Sequence, residues 1–158
     1  MFMTTHDTPL RHDERQALCV MPATVDAVPP LRRFVQEAAR RWKLGAEVDE
    51  ALGVIVTELA ANVVRHSGSR DVAVLLTTTG RSLTLQVQDT GRWRRRRPRL
   101  PGDEATACCG RGLSLVRAYA VECAIVRTAR GTRVAVTLAA GAAVEQGPPE
   151  ADRGAVRP

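Results

Sequence analysis

ELAANVVRH, residues 58–66, is the stretch of this sequence from which the fold can be worked out. It ends a segment, starting at Glu47, in which apolar residues recur at helical spacing. Glu58 and Asn62 are four residues apart, so they share one face of the predicted helix, beside its apolar stripe. A carboxylate next to a carboxamide can hold a Mg²⁺ shell or polarise a water molecule. A solvated helix surface is the ordinary alternative for such a pair.

The residues before this helix predict one strand and one further helix. The apolar run at residues 16–21 predicts a strand. Early prolines at 29 and 30, followed by Leu31, Phe34, Val35, Ala38 and Trp42 at helical spacing, predict a helix that ends with Gly45 as its C-cap. We expect this helix to lie beside the second one, and Leu31, Phe34 and Trp42 could provide an exposed face for a homodimer.

The residues after the central helix predict four strands and one short helix. Residues 72–76 and 83–89 predict two strands, and Gly80-Arg81 between them suits a hairpin. A long irregular stretch follows, and loops of this length are typically either functional lids or disordered. Residues 112–120 predict a helix, and residues 122–128 and 132–138 predict two strands joined by a turn at Arg130-Gly131.

This order of elements predicts an α+β fold. Adjacent strand pairs with segregated helices favour a two-layer α/β sandwich, whose mixed, mostly antiparallel sheet is covered by helices on one face. We expect a flexible N-terminal tail at residues 1–14, one domain at residues 15–139, and a disordered C-terminal tail at residues 140–158, which is rich in Gly, Pro, Ala and Glu.

Length and composition limit the class of protein. The chain has 158 residues and a mass of 17.1 kDa, enough for a single domain with its own core. It has no apolar run long enough to span a membrane and no secretory signal at its N-terminus, so we expect a cytoplasmic protein. The net charge of +6 comes almost entirely from arginine, which fits either GC-rich coding or an anionic partner.

The four cysteines do not form a metal motif. No CxxC pair occurs, and in a cytoplasmic chain the default is free thiols. Cys108-Cys109 is a vicinal pair in a glycine-rich loop, where a redox role is the alternative.

Three further short motifs follow the central helix in a fixed order. Asp89-Thr90-Gly91 ends a strand, where a carboxylate can accept a hydrogen bond from an exocyclic amine. Gly110-Arg111-Gly112-Leu113 precedes a helix, where free backbone amides and the helix N-terminus can bind an anion. Gly131-Thr132 lies at a strand turn and places a hydroxyl there. Each motif alone also fits an ordinary turn or loop.

Taken together, the four motifs resemble the GHKL ATP-binding domain, also called the Bergerat fold, of gyrase, Hsp90, histidine kinases and MutL. The resemblance covers about residues 17–139. Within that family, ELAANVVRH and the short stand-alone chain look most like bacterial anti-sigma factor serine/threonine kinases and actinobacterial regulatory ATP-binding proteins. The resemblance implies ATP and Mg²⁺ as cofactors, and a lid over the nucleotide at about residues 90–112.

The resemblance also implies a role for each motif residue. Glu58 would act as the catalytic base or orient the attacking group, and Asn62 would ligate the Mg²⁺. Asp89 would accept from the adenine amine, and Gly91 would let the base lie against the backbone. Gly110 and Gly112 would form the lid hinge and contact phosphates, and Arg111 and Leu113 in the same motif would bind the cofactor. Thr132 would lie beside Asp89 at the adenine end.

Two departures from the family pattern bear on function. The family's D-x-G-x-G motif has Trp93 in place of its second glycine, which affects how the lid closes. The lid is also unusually rich in arginine, with Arg92, Arg94, Arg95, Arg96, Arg97 and Arg99. These side chains could clamp phosphates, contact an acidic partner, or form a solvated loop.

Several functions therefore stay open at this point. The first is a kinase that binds a sigma factor and phosphorylates an anti-anti-sigma protein of the STAS type. The second is a non-catalytic nucleotide-sensing module in which ATP orders the lid. The third, a basic nucleic-acid-binding domain, is disfavoured because aromatic residues for base stacking are few. A histidine kinase fragment is disfavoured because no phosphoacceptor helices precede the domain.

Overall fold

One six-stranded sheet and three α-helices make up the described part of the chain. The structure is a computed structural model and describes residues 2–4, 14–79, 81–92 and 111–140; residues 2–4 and 111–113 are described by their backbone alone. The elements in chain order are β1 (Phe2–Thr4), β2 (Glu14–Pro22), a 3-10 turn (Val25–Ala27), α1 (Val28–Arg41), α2 (Ala46–His66), β3 (Asp71–Thr79), β4 (Ser82–Asp89), α3 (Arg111–Tyr119), β5 (Glu122–Thr128) and β6 (Gly131–Ala139).

The strand order is β1-β2-β3-β4-β6-β5, with no parallel pair among the described strands. Strands β3 and β4 form a hairpin, as do β5 and β6. Strand β6 then pairs with β4, which joins the two hairpins into one sheet. As a result, the end of β4 lies beside the start of β6, although more than forty positions separate them along the chain.

One face of the sheet is packed against the helices, and the other face is open. Burial alternates along β3, β4 and β6, so every second side chain points into the core. Leu76, Leu83 and Leu85 on this face are fully buried, as are Leu52 and Ile55 on α2. Each such side chain contributes about 1.5–3 kcal/mol by leaving water. The predicted two-layer α+β sandwich is confirmed.

The apolar stripe of α2 is buried as predicted, but the expectation of an exposed dimer face on α1 is wrong. Leu31 is fully buried, and Phe34 and Trp42 are 6% and 9% exposed. Helix α1 packs along α2, so its apolar residues are covered within the chain itself. They are not available as a surface for a second copy.

The end of α1 also differs from the prediction. Lys43, with φ of 57°, takes the left-handed position that was assigned to Gly45. The Lys43 amide donates to the Arg40 carbonyl and the Leu44 amide donates to the Ala39 carbonyl, which is a Schellman arrangement. Gly45 is instead the N-cap of α2, in an extended conformation. Gly45 therefore lies at the junction between the two helices, but it begins α2 and does not end α1.

The remaining predicted helix and strands are confirmed, with no boundary moved by more than three residues. Strand β1 was not predicted; it pairs with Leu18, Cys19 and Val20 at one edge of the sheet. Most of the predicted lid, the C-terminal tail after Ala140, Gly80 and the Cys108-Cys109 pair lie outside the described residues.

Cys19 and Cys123, the two cysteines that the structure describes, are thiols and form no disulfide bond with each other. Burial raises the pKa of the Cys19 thiol, because an ionised thiolate is poorly solvated in the core. Within the described ranges, no helix is long and apolar enough to cross a membrane.

Candidate functional site

A cleft lies between α2 and the ends of β4, β5 and β6. Its walls are mostly apolar, and a few polar side chains point into it, which is the usual character of a small-molecule site. The residues that line it are Leu59, Asn62, Val63, Val87, Asp89, Ile125, Arg127, Thr132 and Val134. Helix α2 provides one wall, and the sheet provides the floor and the opposite wall.

Three residues that were predicted separately from the sequence meet in this cleft. Asn62 comes from α2, Asp89 from the end of β4, and Thr132 from the start of β6. Asp89 and Thr132 are 2% and 5% exposed, and Asn62 is half-buried. A buried carboxylate is costly unless it is hydrogen-bonded or paired, so Asp89 needs polar partners at this depth.

The pairing of the strands places a third polar residue of the sheet, Arg127, beside Asp89 and Thr132. Asp89 lies directly opposite Thr132 on β6, and Thr132 lies directly opposite Arg127 on β5. Side chains directly opposite each other share a face and have Cβ atoms about 4.5–5.5 Å apart. Asp89, Thr132 and Arg127 therefore form a transverse polar row, which places an acceptor, a hydroxyl and a cationic donor in sequence across the cleft floor.

The Asp89 carboxylate is held by its own loop. The Gly91 amide donates to Asp89 Oδ1 over 2.9 Å, which fixes the rotation of the carboxyl group. A carboxylate has about four acceptor positions, so this bond is compatible with further donation from a ligand.

Position 91 must be glycine because its backbone packs against the backbone of the residues that follow α2. A Cβ atom at this position would lie 2.1 Å from the Ser67 carbonyl oxygen and 2.7 Å from the Ser69 amide nitrogen. The Asp89 loop therefore packs directly on the backbone that follows α2. Gly91 does not line the cleft, and its role toward adenine stays a prediction.

Ser69 ties the same two segments together through hydrogen bonds. The Thr90 amide donates to Ser69 Oγ over 3.1 Å, and the Ser69 and Thr90 hydroxyl oxygens are also 3.1 Å apart. The Ser69 hydroxyl donates to the Asp71 carbonyl over 2.7 Å, and the Ser69 amide donates to Ser67 Oγ over 3.0 Å. The Ser67 hydroxyl in turn donates to the Val63 carbonyl in α2 over 2.8 Å. The network fixes Asp89 relative to the helix that carries Asn62.

We expect Ser69→Ala to lower the free energy of unfolding by about 1–3 kcal/mol and to speed hydrogen exchange at the Thr90 amide, because that amide loses its acceptor. Urea denaturation and amide exchange by NMR measure the two effects. Ser82→Ala is the matched control. It removes the 2.8 Å hydroxyl contact with Thr79 at the turn end of the β3–β4 hairpin, far along both strands from Thr90. Unchanged exchange at Thr90 in Ser69→Ala would contradict this account of the loop.

The other predicted site residues are only partly placed. Glu58 is half-buried on α2, one turn before Asn62, but it does not line the cleft. Arg111, Gly112 and Leu113 form the first turn of α3, which is the element predicted to follow the anion-binding loop. Gly110 and Trp93 lie outside the described residues.

Arg127 and Ser69 were missed by the sequence analysis. Alternation along β5 assigns Ile125 and Arg127 to one face, so the sequence contained part of that signal. Which strand lies opposite β5, and in which register, cannot be read from the alternation. Ser69 could not be identified from a local pattern, because its partner Thr90 lies 21 positions further along the chain.

The described residues suit a magnesium ion that is bound together with a phosphate ligand. They contain no group of three or more His, Cys, Asp or Glu side chains that could hold a metal alone. The Asn62 carboxamide supplies one hard oxygen ligand at the cleft. Mg²⁺ typically takes only one or two protein ligands and completes its shell with water and substrate phosphates, so this donor set fits.

Comparisons with known proteins identify the family and the fold of the chain. The profile of the histidine kinase-like ATPase domain matches residues 21–138. Among solved structures, the chain is similar to the crystal structure of the RsbU and RsbW domains of Rv1364c from Mycobacterium tuberculosis, with a TM-score of 0.62 and 19% identity. The match covers 78% of this chain and 31% of that chain, and at this identity it shows a shared fold. No curated protein matches the sequence.

Proposed function

Because this chain belongs to the family of histidine kinase-like ATPase domains, we propose that it binds Mg-ATP in the cleft and acts as an anti-sigma factor serine/threonine protein kinase. The predicted GHKL membership is confirmed by that family match. The observation that carries the proposal is the meeting of Asn62, Asp89 and Thr132 in one cleft. The resemblance implies that Asn62 ligates the metal, that Asp89 contacts adenine and that Thr132 lies beside Asp89.

The cleft is suited to a planar, amine-bearing base. Leu59 and Val63 on α2 face Val87, Ile125 and Val134 on the sheet, so a base would have apolar surfaces on both sides. Asp89 at the floor would accept a hydrogen bond from the exocyclic amine. A carboxylate in this position favours adenine, because guanine carries a carbonyl oxygen where adenine carries the amine.

The catalytic proposal depends on α2. Asn62 would be the protein ligand that holds the Mg²⁺, and the ion would supply charge neutralisation during phosphoryl transfer. Glu58, one turn away, would accept the proton of the attacking Ser or Thr hydroxyl of a protein substrate. That oxygen then forms the new bond to the γ-phosphorus, and ADP leaves.

The partners proposed for this activity follow the anti-sigma kinase resemblance. One is a sigma factor that the protein binds, and the other is a STAS-type anti-anti-sigma protein that it phosphorylates. This makes the protein a regulator of transcription through partner exchange. Membership of the ATPase family supports the nucleotide part of this proposal, and the motif ELAANVVRH supports the kinase part.

We expect Glu58→Gln to keep Mg-ATP affinity within about twofold and to lower phosphoryl transfer by about 10²–10⁴-fold, the usual contribution of a general base. Calorimetry measures binding, and labelled ATP measures transfer to a panel of purified STAS proteins from the source organism. Glu50→Gln is the matched control, because Glu50 is exposed on the same helix. Equal transfer by Glu58→Gln and the wild type would contradict the role of Glu58.

A nucleotide-sensing module without kinase activity is the second candidate. It is favoured by the position of Glu58, which lies outside the lining of the cleft, and by Trp93 in the lid motif. In that case the wild type would bind Mg-ATP and a sigma factor but would transfer no label to any STAS protein. Absence of ATP binding at millimolar concentration would reject both candidates.

A further inference from the structure

We propose that Arg127 is a specificity-determining residue of the nucleotide cleft, which donates a hydrogen bond to a ring nitrogen of the purine base. This inference rests on the proposed function, since it assigns a base contact within the same cleft. The motif analysis did not include Arg127, and the resemblance implies no role for it.

The sheet register places Arg127 in the cleft. It pairs with Thr132, which pairs with Asp89, so all three side chains lie on the helix-covered face of the sheet. The next residues along the strands form a second row, with Val126 opposite Arg133 and Arg133 opposite Gln88, on the open face. A shift of one residue in β5 would place Arg127 on the open face and remove it from the cleft.

The chemistry of the row matches the edge of an aminopurine. Asp89 can only accept hydrogen bonds when ionised, and a guanidinium can only donate. Adenine needs both kinds of partner, because its amine donates and its N1 and N7 atoms accept. With Asp89 engaged by the amine, a donor placed further along the same row can reach a ring nitrogen. Thr132, between them, can serve either as donor or as acceptor.

Arg127 is exposed at the mouth of the cleft, while Asp89 is buried at its floor. The long arginine side chain can therefore reach the edge of a bound base while its charge stays hydrated. The exposure of Arg127 also determines how much affinity we expect to be lost when its side chain is removed. A hydrogen bond from a solvated donor contributes less than a buried one, so we expect a loss of about tenfold or slightly less on removal.

The test compares Arg127→Met with wild type in calorimetric titrations with Mg-ATP and with adenosine. The matched control is Arg133→Met, which removes the same charge from the adjacent strand but on the open face, where Arg133 contacts Gln88. We expect Arg127→Met to weaken ATP and adenosine binding by the same factor, about five- to tenfold, and Arg133→Met to change neither.

Deaza analogues identify the contacted atom. If Arg127 donates to N1 or N7, wild type will bind 1-deazaadenosine or 7-deazaadenosine less tightly than adenosine, and Arg127→Met will not discriminate against that analogue. Loss of ATP binding with unchanged adenosine binding would overturn the proposal, because it would place Arg127 on the phosphates. Unchanged binding of both ligands would overturn it as well. If wild type binds neither ligand, the proposed function fails, and the inference fails with it.

Discussion

Asp89→Asn is expected to weaken Mg-ATP binding by about 10- to 150-fold while leaving the protein folded. In the proposed complex the carboxylate would form a charge-assisted hydrogen bond with the adenine amine, and hydrogen bonds to charged groups contribute about 1.5–3 kcal/mol. The amide nitrogen of the new asparagine is a donor, so facing it toward the adenine amine would oppose two donors. The remaining carbonyl oxygen can still accept from the Gly91 amide, so the loop keeps its internal bond.

The matched control for this change is Asp71→Asn, which makes the same chemical substitution at an exposed site next to Val72, the β3 partner of Asp89. Calorimetry with ATP and GTP, on both variants and wild type, measures the affinities. We expect wild type to bind ATP and to ignore GTP, and Asp71→Asn to match it. An Asp89→Asn variant that binds ATP as tightly as wild type would show that Asp89 does not contact the base.

Gly131→Ala is expected to lower the free energy of unfolding by more than about 3 kcal/mol, the upper end of the cost of one strained backbone residue. Gly131 has φ of 136°, a conformation that L side chains rarely adopt. A Cβ atom there would lie 1.9 Å from the Asp89 carbonyl oxygen and 2.8 Å from Thr90 Cα. Both atoms belong to the backbone: Asp89 is held by the β4–β6 ladder, and the Thr90 amide is bonded to Ser69 Oγ, so neither can move aside easily.

The control separates backbone strain from the steric contact. Gly68 also has a positive φ, of 63°, but nothing lies within 4 Å of a Cβ atom at that position. Gly68→Ala should therefore cost only about 1–2 kcal/mol, the left-handed penalty for an L residue. Urea denaturation of both variants gives the two values. Equal destabilisation would mean that the contact with Asp89 is relieved, and that Gly131 is needed for its backbone angle alone.

Local pattern was sufficient for most of the fold. The α2 stripe from Val48 to Val63 has helical spacing, and burial of that stripe follows wherever the helix packs on a sheet. The alternation in β4 similarly predicted which of its side chains are buried. The prediction failed at β1, whose three residues are too short for any periodicity and which exists as a strand only through pairing with β2.

Only part of the site could be predicted from the sequence, because some of its contacts join residues that are far apart along the chain. Asn62, Asp89 and Thr132 could be singled out because each belongs to a short motif with its own chemistry. Arg127 and Ser69 belong to no motif. Arg127 lines the cleft because β5 pairs with β6 in one register, and Ser69 matters because Thr90 is brought back against it.

The sequence by itself determined the helices, five of the six strands, the apolar faces and three of the residues in the cleft, because these depend on side-chain type and on spacing within one segment. Tertiary structure alone decided that α1 buries Leu31 and Phe34, that Lys43 ends this helix, and that the row of Asp89, Thr132 and Arg127 crosses three strands. Such features depend on the register and packing of segments distant in sequence, and no local pattern encodes which partner a strand or helix will meet.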